Sequence, residues 1–313
     1  MSELAISVNI FAMRLRAFEL NEPLPELKEP QALAIMRPWV DVGNVGSQVL
    51  LWLEEQFKAK DLGRLARPGD FFDFTRYRPT GYLKDGQRQV VIPNVRLSYS
   101  KQESGNDLLF LHLLEPHSHG EVYIDSVVQL LAKFGTRGYC LIGSMYDYVP
   151  HTRPLIVTGR ASDESIQKEL VKAGIESSNY QGPTSINGLI PQRASEMGME
   201  TLSLIVHLPQ YIQLEEDYMG AVRMMDVLGS LYGLPTDETC VKKAERQREQ
   251  IDAELNQNPQ LKAIVEQIES HYEERTERKQ ETTTQLSPEV EKFLREMNRR
   301  FREGDQPQDH PQA

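Results

Sequence analysis

The chain is short of most features that usually announce a function. It has two cysteines, Cys140 and Cys240, too few and too far apart for a disulfide framework or a zinc site. Cys140 lies in the apolar run "YCLIG" and reads as a small buried hydrophobe, while Cys240 opens a charged helix. Positive charge is also scarce: 35 Lys and Arg stand against 46 Asp and Glu, a net charge of −11. That balance disfavours non-specific binding to nucleic acid or to an anionic membrane, which relies on clustered basic residues. No run approaches the roughly 18 apolar residues of a membrane span. The opening "MSELAISVNIFAMRLRAFEL" breaks its apolar stretch with Arg14 and Arg16, and shows neither a basic segment ahead nor a small-residue cleavage site behind. A cytoplasmic protein is expected, with neither membrane nor nucleic acid among its partners.

What is present supports a folded body. Hydrophobic residues make up 39% of 313 positions, enough for one large domain with appendages or for two modest ones. Residues 21–30, "NEPLPELKEP", read as a connector after an N-terminal arm that would pair as an edge strand or pack on a neighbour. Strand and helix patterns then alternate. "ALAIM" (32–36) is a buried strand, and Gly43 and Gly46 bracket a turn into a helix bearing Val49, Leu50, Leu53 and Phe57. Strands follow at 88–99 and 108–114, then a helix at about 120–134 closed by Gly135. Further strands are expected at 138–143, 155–161 and 201–206. Helices are expected at 163–173, with Ser162 or Asp163 as N-cap, and at about 215–231. Apolar strands alternating with helices predict an α/β fold with a mainly parallel sheet covered on both faces, a three-layer α/β/α arrangement.

From Pro235 onward charge dominates. Asn258-Pro259 and Ser287-Pro288 are N-cap and first-turn proline signatures. The first starts a helix with Leu261, Ile264, Val265, Ile268 and Tyr272 on one stripe. The second starts a helix with Val290, Phe293, Leu294, Met297 and Phe301 on another. "QETTTQ" between them reads as a linker, and "GDQPQDHPQA" as a disordered end. The predicted organisation is an arm and linker over 1–30, a core domain over 31–235, a helical extension over 236–280, and a linker, amphipathic helix and disordered end over 281–313.

In an open parallel sheet, ligands bind beyond the carboxyl ends of the strands, so the loops leaving those ends hold the candidate site. They contribute Asp41, Asn44 and Gly46; Glu115 with His117 and His119; His151, Thr152 and Arg153; and His207 with Tyr211. Gly182 and Thr184 come from the loop "YQGPTSINGLIP". Four of the seven histidines fall in these exits. "DVGNVG" resembles a glycine-rich anion cradle, yet it lacks the third glycine of a dinucleotide fingerprint and the Gly-Lys-Ser/Thr of a P-loop. A tight strand-to-helix turn explains its glycines without any ligand. "EPHSHG" places a carboxylate beside imidazoles, but without partners at metal-ligand spacing. "PHTRP" is rigid because prolines bound it on both sides. His151 there would serve as a general base or Arg153 as an anion clamp, or both would bond the corner together. There is no Gly-x-Ser-x-Gly elbow, and no catalytic residue, cofactor or metal is assigned.

Seven stretches together are characteristic: "VDVGNVG" (40–46), "LLEPHSHG" (113–120), "YVPHTRP" (148–154), "YQGPTSINGLI" (180–190), "VHLPQY" (206–211), "LYGLP" (231–235) and "NPQLKAIVEQIESHYEE" (258–274). In these the chain resembles the proteasome-assembly-chaperone-like family of the chaperone-two type, in the form found in bacteria and archaea. The resemblance implies a nucleoside-phosphorylase-like α/β/α fold, homo-oligomers and a role in protein association. Archaeal relatives dock on the proteasome through a terminal hydrophobic–Tyr–any-residue motif. This chain ends His310-Pro311-Gln312-Ala313, so that docking mode is not expected. Two functional readings follow. One is a non-catalytic, assembly-chaperone-like protein that uses its C-terminal helices on a protein partner, with Val290, Phe293, Leu294, Met297 and Phe301 as the contact stripe. The other is a small-molecule protein or enzyme that takes a nucleoside-like or anionic ligand at the polar exit loops.

Overall fold

The computed structural model describes residues 12–284, with side chains to Glu277, except Trp39, Asn179 and Pro183. Two compact units divide the chain between Gln257 and Asn258. The first unit is built on a ten-stranded sheet. Its strands are β1 (Ala12–Leu15), β2 (Phe18–Asn21), β3 (Gln31–Arg37) and β4 (Lys60–Leu65). A hairpin of β5 (Thr80–Lys84) and β6 (Gln87–Val91) stands outside that sheet. The main sheet continues with β7 (Arg96–Ser100), β8 (Leu108–Leu114), β9 (Gly138–Asp147), β10 (Val157–Ala161), β11 (Glu176–Ser177) and β12 (Glu200–Pro209). Its spatial order is β1-β2-β4-β7-β8-β3-β9-β12-β10-β11.

The expectation of a mainly parallel sheet needs correction. Only the centre, β8-β3-β9-β12, is parallel throughout, with the two-residue β11 added parallel to β10. The flank from β8 to β1 is antiparallel at every pairing, and β10 runs antiparallel to β12. Connection length accounts for two of these pairings: a parallel neighbour needs a crossover of a dozen or more residues, whereas β1–β2 and β7–β8 are joined by short returns that permit only antiparallel pairing.

Helices cover both faces, and strand alternation decides which residue meets which. In β3, Ala32, Ala34 and Met36 join one apolar cluster while Leu33 and Ile35 join another. The first cluster includes Val127 and Leu131 of α2 (Gly120–Lys133) and Ile190 of α4 (Ile186–Glu196). The second includes Val49 and Leu53 of α1 (Val45–Gln56), Leu170 of α3 (Glu164–Lys172), Met224 and Leu228 of α5 (Tyr218–Tyr232) and Cys240 of α6 (Glu238–Gln257). Asp163 caps α3 by accepting from the Ser165 and Ile166 N–H groups. The first unit therefore runs past the change of composition at Pro235 and takes in all of α6. The described part of the second unit is α7 (Pro259–Thr284), whose start is capped by Asn258 accepting from Gln260 and Leu261 N–H at 3.2 Å. Ser287-Pro288 and the stripe from Val290 to Phe301 lie outside the described residues.

One close approach ties the first exit loop to the sheet centre. Val40 O accepts from Ser144 N–H at 2.9 Å, and a Cβ on Gly143 would overlap that same carbonyl. Gly143→Ala is expected to destabilise the fold by about 1–3 kcal/mol through this overpacking, read as a lower urea midpoint at unchanged slope.

Candidate functional site

Asp41 leaves β3 and turns back on the start of α1. Its Oδ1 accepts from Gly46 N–H at 2.7 Å, and its Oδ2 accepts from the Ser47 hydroxyl at 2.6 Å and from Ser47 N–H at 3.3 Å. The chain's own carboxylate thus sits against the N–H groups that an anion at this turn would use. Burial pushes the Asp41 carboxyl up, against the lowering effect of these hydrogen bonds. Gly46 is required by space, since a Cβ would lie 2.8 Å from Ile35 Cγ2. Asn44 adopts the left-handed conformation (φ 51°) and donates from Nδ2 to Glu215 O at 2.9 Å. Gly43, also left-handed (φ 61°), accepts at its carbonyl from Asp217 N–H at 2.9 Å. Asp217 in turn caps α5 through Gly220 N–H at 2.7 Å.

The "PHTRP" bend is a closed corner around His151, which is only 2% exposed. His151 N–H donates to Tyr211 Oη at 2.9 Å, and the Tyr211 hydroxyl donates to Nδ1 at 2.6 Å. The ring proton then belongs on Nε2, facing Asp252 Oδ1 of α6 at 3.1 Å. Arg248, one helical turn earlier, donates to His151 O at 2.9 Å. Thr152 and Arg153 follow in the turn and are half-buried.

His207 forms a second clasp. Its Nδ1–H faces Asp147 Oδ2 at 2.7 Å, so Nε2 of the neutral ring accepts from the Thr158 hydroxyl at 3.0 Å. The order carboxylate–imidazole–hydroxyl matches a nucleophile relay. Thr158, however, lies within β10, paired to β12 on one side and β11 on the other. The relay joins three strands, β9, β12 and β10.

Glu115 sits apart from both histidine clasps. It follows β8, and its N–H donates to Arg37 O at 2.9 Å while its carbonyl accepts from the Tyr77 hydroxyl at 3.0 Å. His117 Nδ1 accepts from Asp73 N–H at 3.1 Å, and its ring meets Tyr77 with centroids 4.6 Å apart. His119 occupies the N-cap position of α2 in the left-handed conformation without bonding the helix through its side chain. Two open clefts adjoin at Pro38 and Tyr77. One, of about 860 Å³, is lined by Phe72, Arg76, Glu115 and His117; the other, of about 400 Å³, by Arg37, Asp41, Asn44 and Arg78. The predicted cluster therefore divides. Asp41, Asn44 and Glu115 border the clefts, His151, Tyr211 and His207 bond within the corner, and Gly182 and Thr184 are exposed in the loop before α4.

Sequence reasoning missed one polar cluster. Glu54 of α1 accepts from Arg96 at 2.5 Å and from the Ser98 hydroxyl, and lies 3.0 Å from His112 Nε2. Arg96 also approaches that Nε2 at 2.7 Å. Burial lowers His112 despite Glu54, whereas for Glu54 the opposing burial is outweighed by its hydrogen bonds and charged neighbours, which lower it. The only signal in the sequence was a histidine inside "LLFLHLL" and a glutamate inside an apolar helix. Among the described residues no group of three or more His, Cys, Asp or Glu is placed to hold a metal.

The profile of the PAC2 family matches residues 35–258. A PAC2 family protein from Streptomyces avermitilis superposes with a TM-score of 0.66 at 24% identity, covering 72% of this chain and 95% of that one. A Mycobacterium tuberculosis protein of unknown function gives a TM-score of 0.75 at 21% identity, covering 87% and 93%. A proteasome-assembly chaperone homologue from the same species gives 0.68 at 18% identity, covering 75% and 99%. No curated protein sequence matches significantly.

Two outcomes are expected of the buried polar groups. Tyr211→Phe leaves His151 N–H and Nδ1 without that hydroxyl and should cost about 1–3 kcal/mol by urea unfolding. In the second case, both His112 and Glu54 bind protons less readily folded than unfolded. The stability they confer is full above their ordinary values, 6.5 and 4.5, and is lost as pH falls through the lower folded values. The urea midpoint should therefore begin to fall below about pH 6.5, and His112→Gln should flatten that upper part of the profile.

Proposed function

The chain belongs to the PAC2 family, and on that premise we propose that it acts by protein association, as an assembly-chaperone-like protein of the cytoplasm. The observation that carries this reading is the β5–β6 hairpin. Every residue of both strands is exposed. Its side chains include Tyr82, Leu83, Val90 and Val91, with Ile92 following, and Leu83 is 75% exposed. A freestanding hairpin presenting large apolar side chains gains by being covered. A second copy of the chain would cover it, in keeping with the homo-oligomers that the sequence resemblance implies. Two further points agree with a binding role. His151 and His207 are bonded to neighbouring side chains of their own corner. One structural neighbour is described as a proteasome-assembly chaperone homologue. No helix among the described residues is long and apolar enough to cross a membrane. The C-terminal stripe from Val290 to Phe301 remains our second proposed contact for a protein partner.

A second reading keeps the nucleoside-phosphorylase-like comparison and assigns a small nucleoside-like or anionic ligand to the same sheet edge. It draws on the two clefts beside Tyr77. Millimolar phosphate or nucleoside would then raise the unfolding temperature, because a ligand that binds only the native state stabilises it.

The association reading is tested by sedimentation velocity on the full chain and on Leu83→Asp/Val90→Asp. The parent is expected to sediment as an oligomer and the double variant as a monomer of unchanged fold by circular dichroism. Equal sedimentation of the two would reject the hairpin as the contact.

A further inference from the structure

The larger of the two clefts measures about 860 Å³, within the roughly 300–1,000 Å³ of small-molecule sites. Its charged lining is Asp73, Arg76 and Glu115, two carboxylates against one cation. The carboxylates differ in what they already hold. Asp73 is engaged: its Oδ1 accepts from Thr75 N–H at 2.8 Å and from the Thr75 hydroxyl at 2.7 Å, with Arg76 Nε 3.9 Å from its other oxygen. Glu115 is half-buried and its backbone is pinned on both sides, to Arg37 O and to the Tyr77 hydroxyl. Among the described residues, however, none gives the Glu115 carboxylate a hydrogen bond or an ion pair.

The hydroxyls of this cleft have spent their protons. Tyr77 Oη donates to Glu115 O at 3.0 Å and Ser118 Oγ donates to Asp70 O at 2.7 Å, so each keeps lone pairs for a further donor. The Glu115 carboxylate lies close enough to Tyr77 that its charge, after burial as the larger cause, holds that phenol above the usual range. The donors are peripheral: Arg76, whose side chain is 71% exposed, and the exposed ring of His117. Phe72 and Tyr77 meet edge to face with centroids 5.5 Å apart, and the His117 ring lies 4.6 Å from Tyr77. The wall is set in advance, because His117 N–H and Ser118 N–H both donate to Phe71 O, at 2.8 and 3.2 Å.

An unengaged carboxylate, hydroxyl lone pairs beside it and aromatic rings around it are complementary to a cation that carries an apolar body. An ammonium group brings three donors and no acceptor, the reverse of what the cleft offers. We propose that the larger cleft binds a small primary organic amine in its ammonium form, with the charged nitrogen on the Glu115 carboxylate and Tyr77 Oη and the apolar body against Phe72 and Pro116. A phosphate would instead meet two carboxylates and one guanidinium. The net charge of −11 also favours the approach of a cation over that of an anion. The proposal rests on the second reading above, a small ligand at this sheet edge, and gives that ligand a positive charge.

The test is isothermal titration calorimetry on the full chain with phenethylamine, beside phenethyl alcohol and phenylacetate, which keep the ring and change the charge. The amine should bind saturably, and the alcohol and the acid about tenfold more weakly or worse. Glu115→Gln should cost the amine about tenfold or more in affinity. It should leave the urea midpoint unchanged, since that carboxylate bonds none of the described residues. Arg76→Gln removes the opposing charge and should tighten the amine by about twofold or more. Glu103→Gln, exposed in the turn before β8 at the end opposite Glu115, should leave affinity within about twofold. Equal binding of the alcohol, or amine binding indifferent to Glu115→Gln, would overturn the proposal. Tighter binding of an end-blocked lysine peptide than of the amine would overturn it in favour of a lysine on a partner protein. If phosphate or adenosine binds while the amine does not, the proposal falls and the small-ligand reading stands. If none of these probes binds, both fall and the association reading alone is left.

Discussion

The carboxylate of Asp41 is where the turn at the carboxyl end of β3 is assembled. It satisfies the first N–H groups of α1, a capping arrangement worth about 0.5–2 kcal/mol, and thereby fixes how the chain leaves β3. Directly before it, Val40 O is bonded to Ser144 of β9. Directly after it, Gly43 receives the N–H of Asp217, the residue that caps α5. Three elements remote in sequence are thus indexed to one turn. A buried carboxyl is costly to strand, which is why the Gly46 and Ser47 donors must meet it as the turn closes.

The same logic explains what became of the histidines. In an exposed loop an imidazole is a free acid or base; here His151 and His207 each have both ring nitrogens hydrogen-bonded. Each bond fixes a tautomer, so the two rings act as directional struts between strands and, for His151, between the bend and α6. His117 differs because only one of its nitrogens is committed.

How much of this the sequence disclosed depended on whether the signal was local. The central strands and their helices announce themselves by apolar runs and period, and Asp163 and Asn258 by their positions before helices. The antiparallel half was harder. β4 is short and interrupted by Gly63, and β5 and β6 have no buried face to produce alternation. One local clue to the hairpin was present: Asp85-Gly86, both at positive φ, is a favoured two-residue turn. The two clefts were legible only in part, as Glu115, Asp41 and Asn44, because Phe72, Arg76 and Tyr77 come from a segment with no strong periodicity. The Glu54–Arg96–Ser98–His112 cluster draws on three elements, and no spacing rule anticipates such a meeting.

The two thiols lend themselves to another use. Cys140 is fully buried in β9 at the heart of the parallel strands, and Cys240 is buried near the start of α6. Burial pushes Cys140 up to about 12 and Cys240 up to about 11, so at neutral pH neither presents the thiolate that alkylating reagents require. Labelling must therefore wait for the structure to open. The molecule carries two native clocks, one timing rupture of its central sheet and the other the release of its sixth helix.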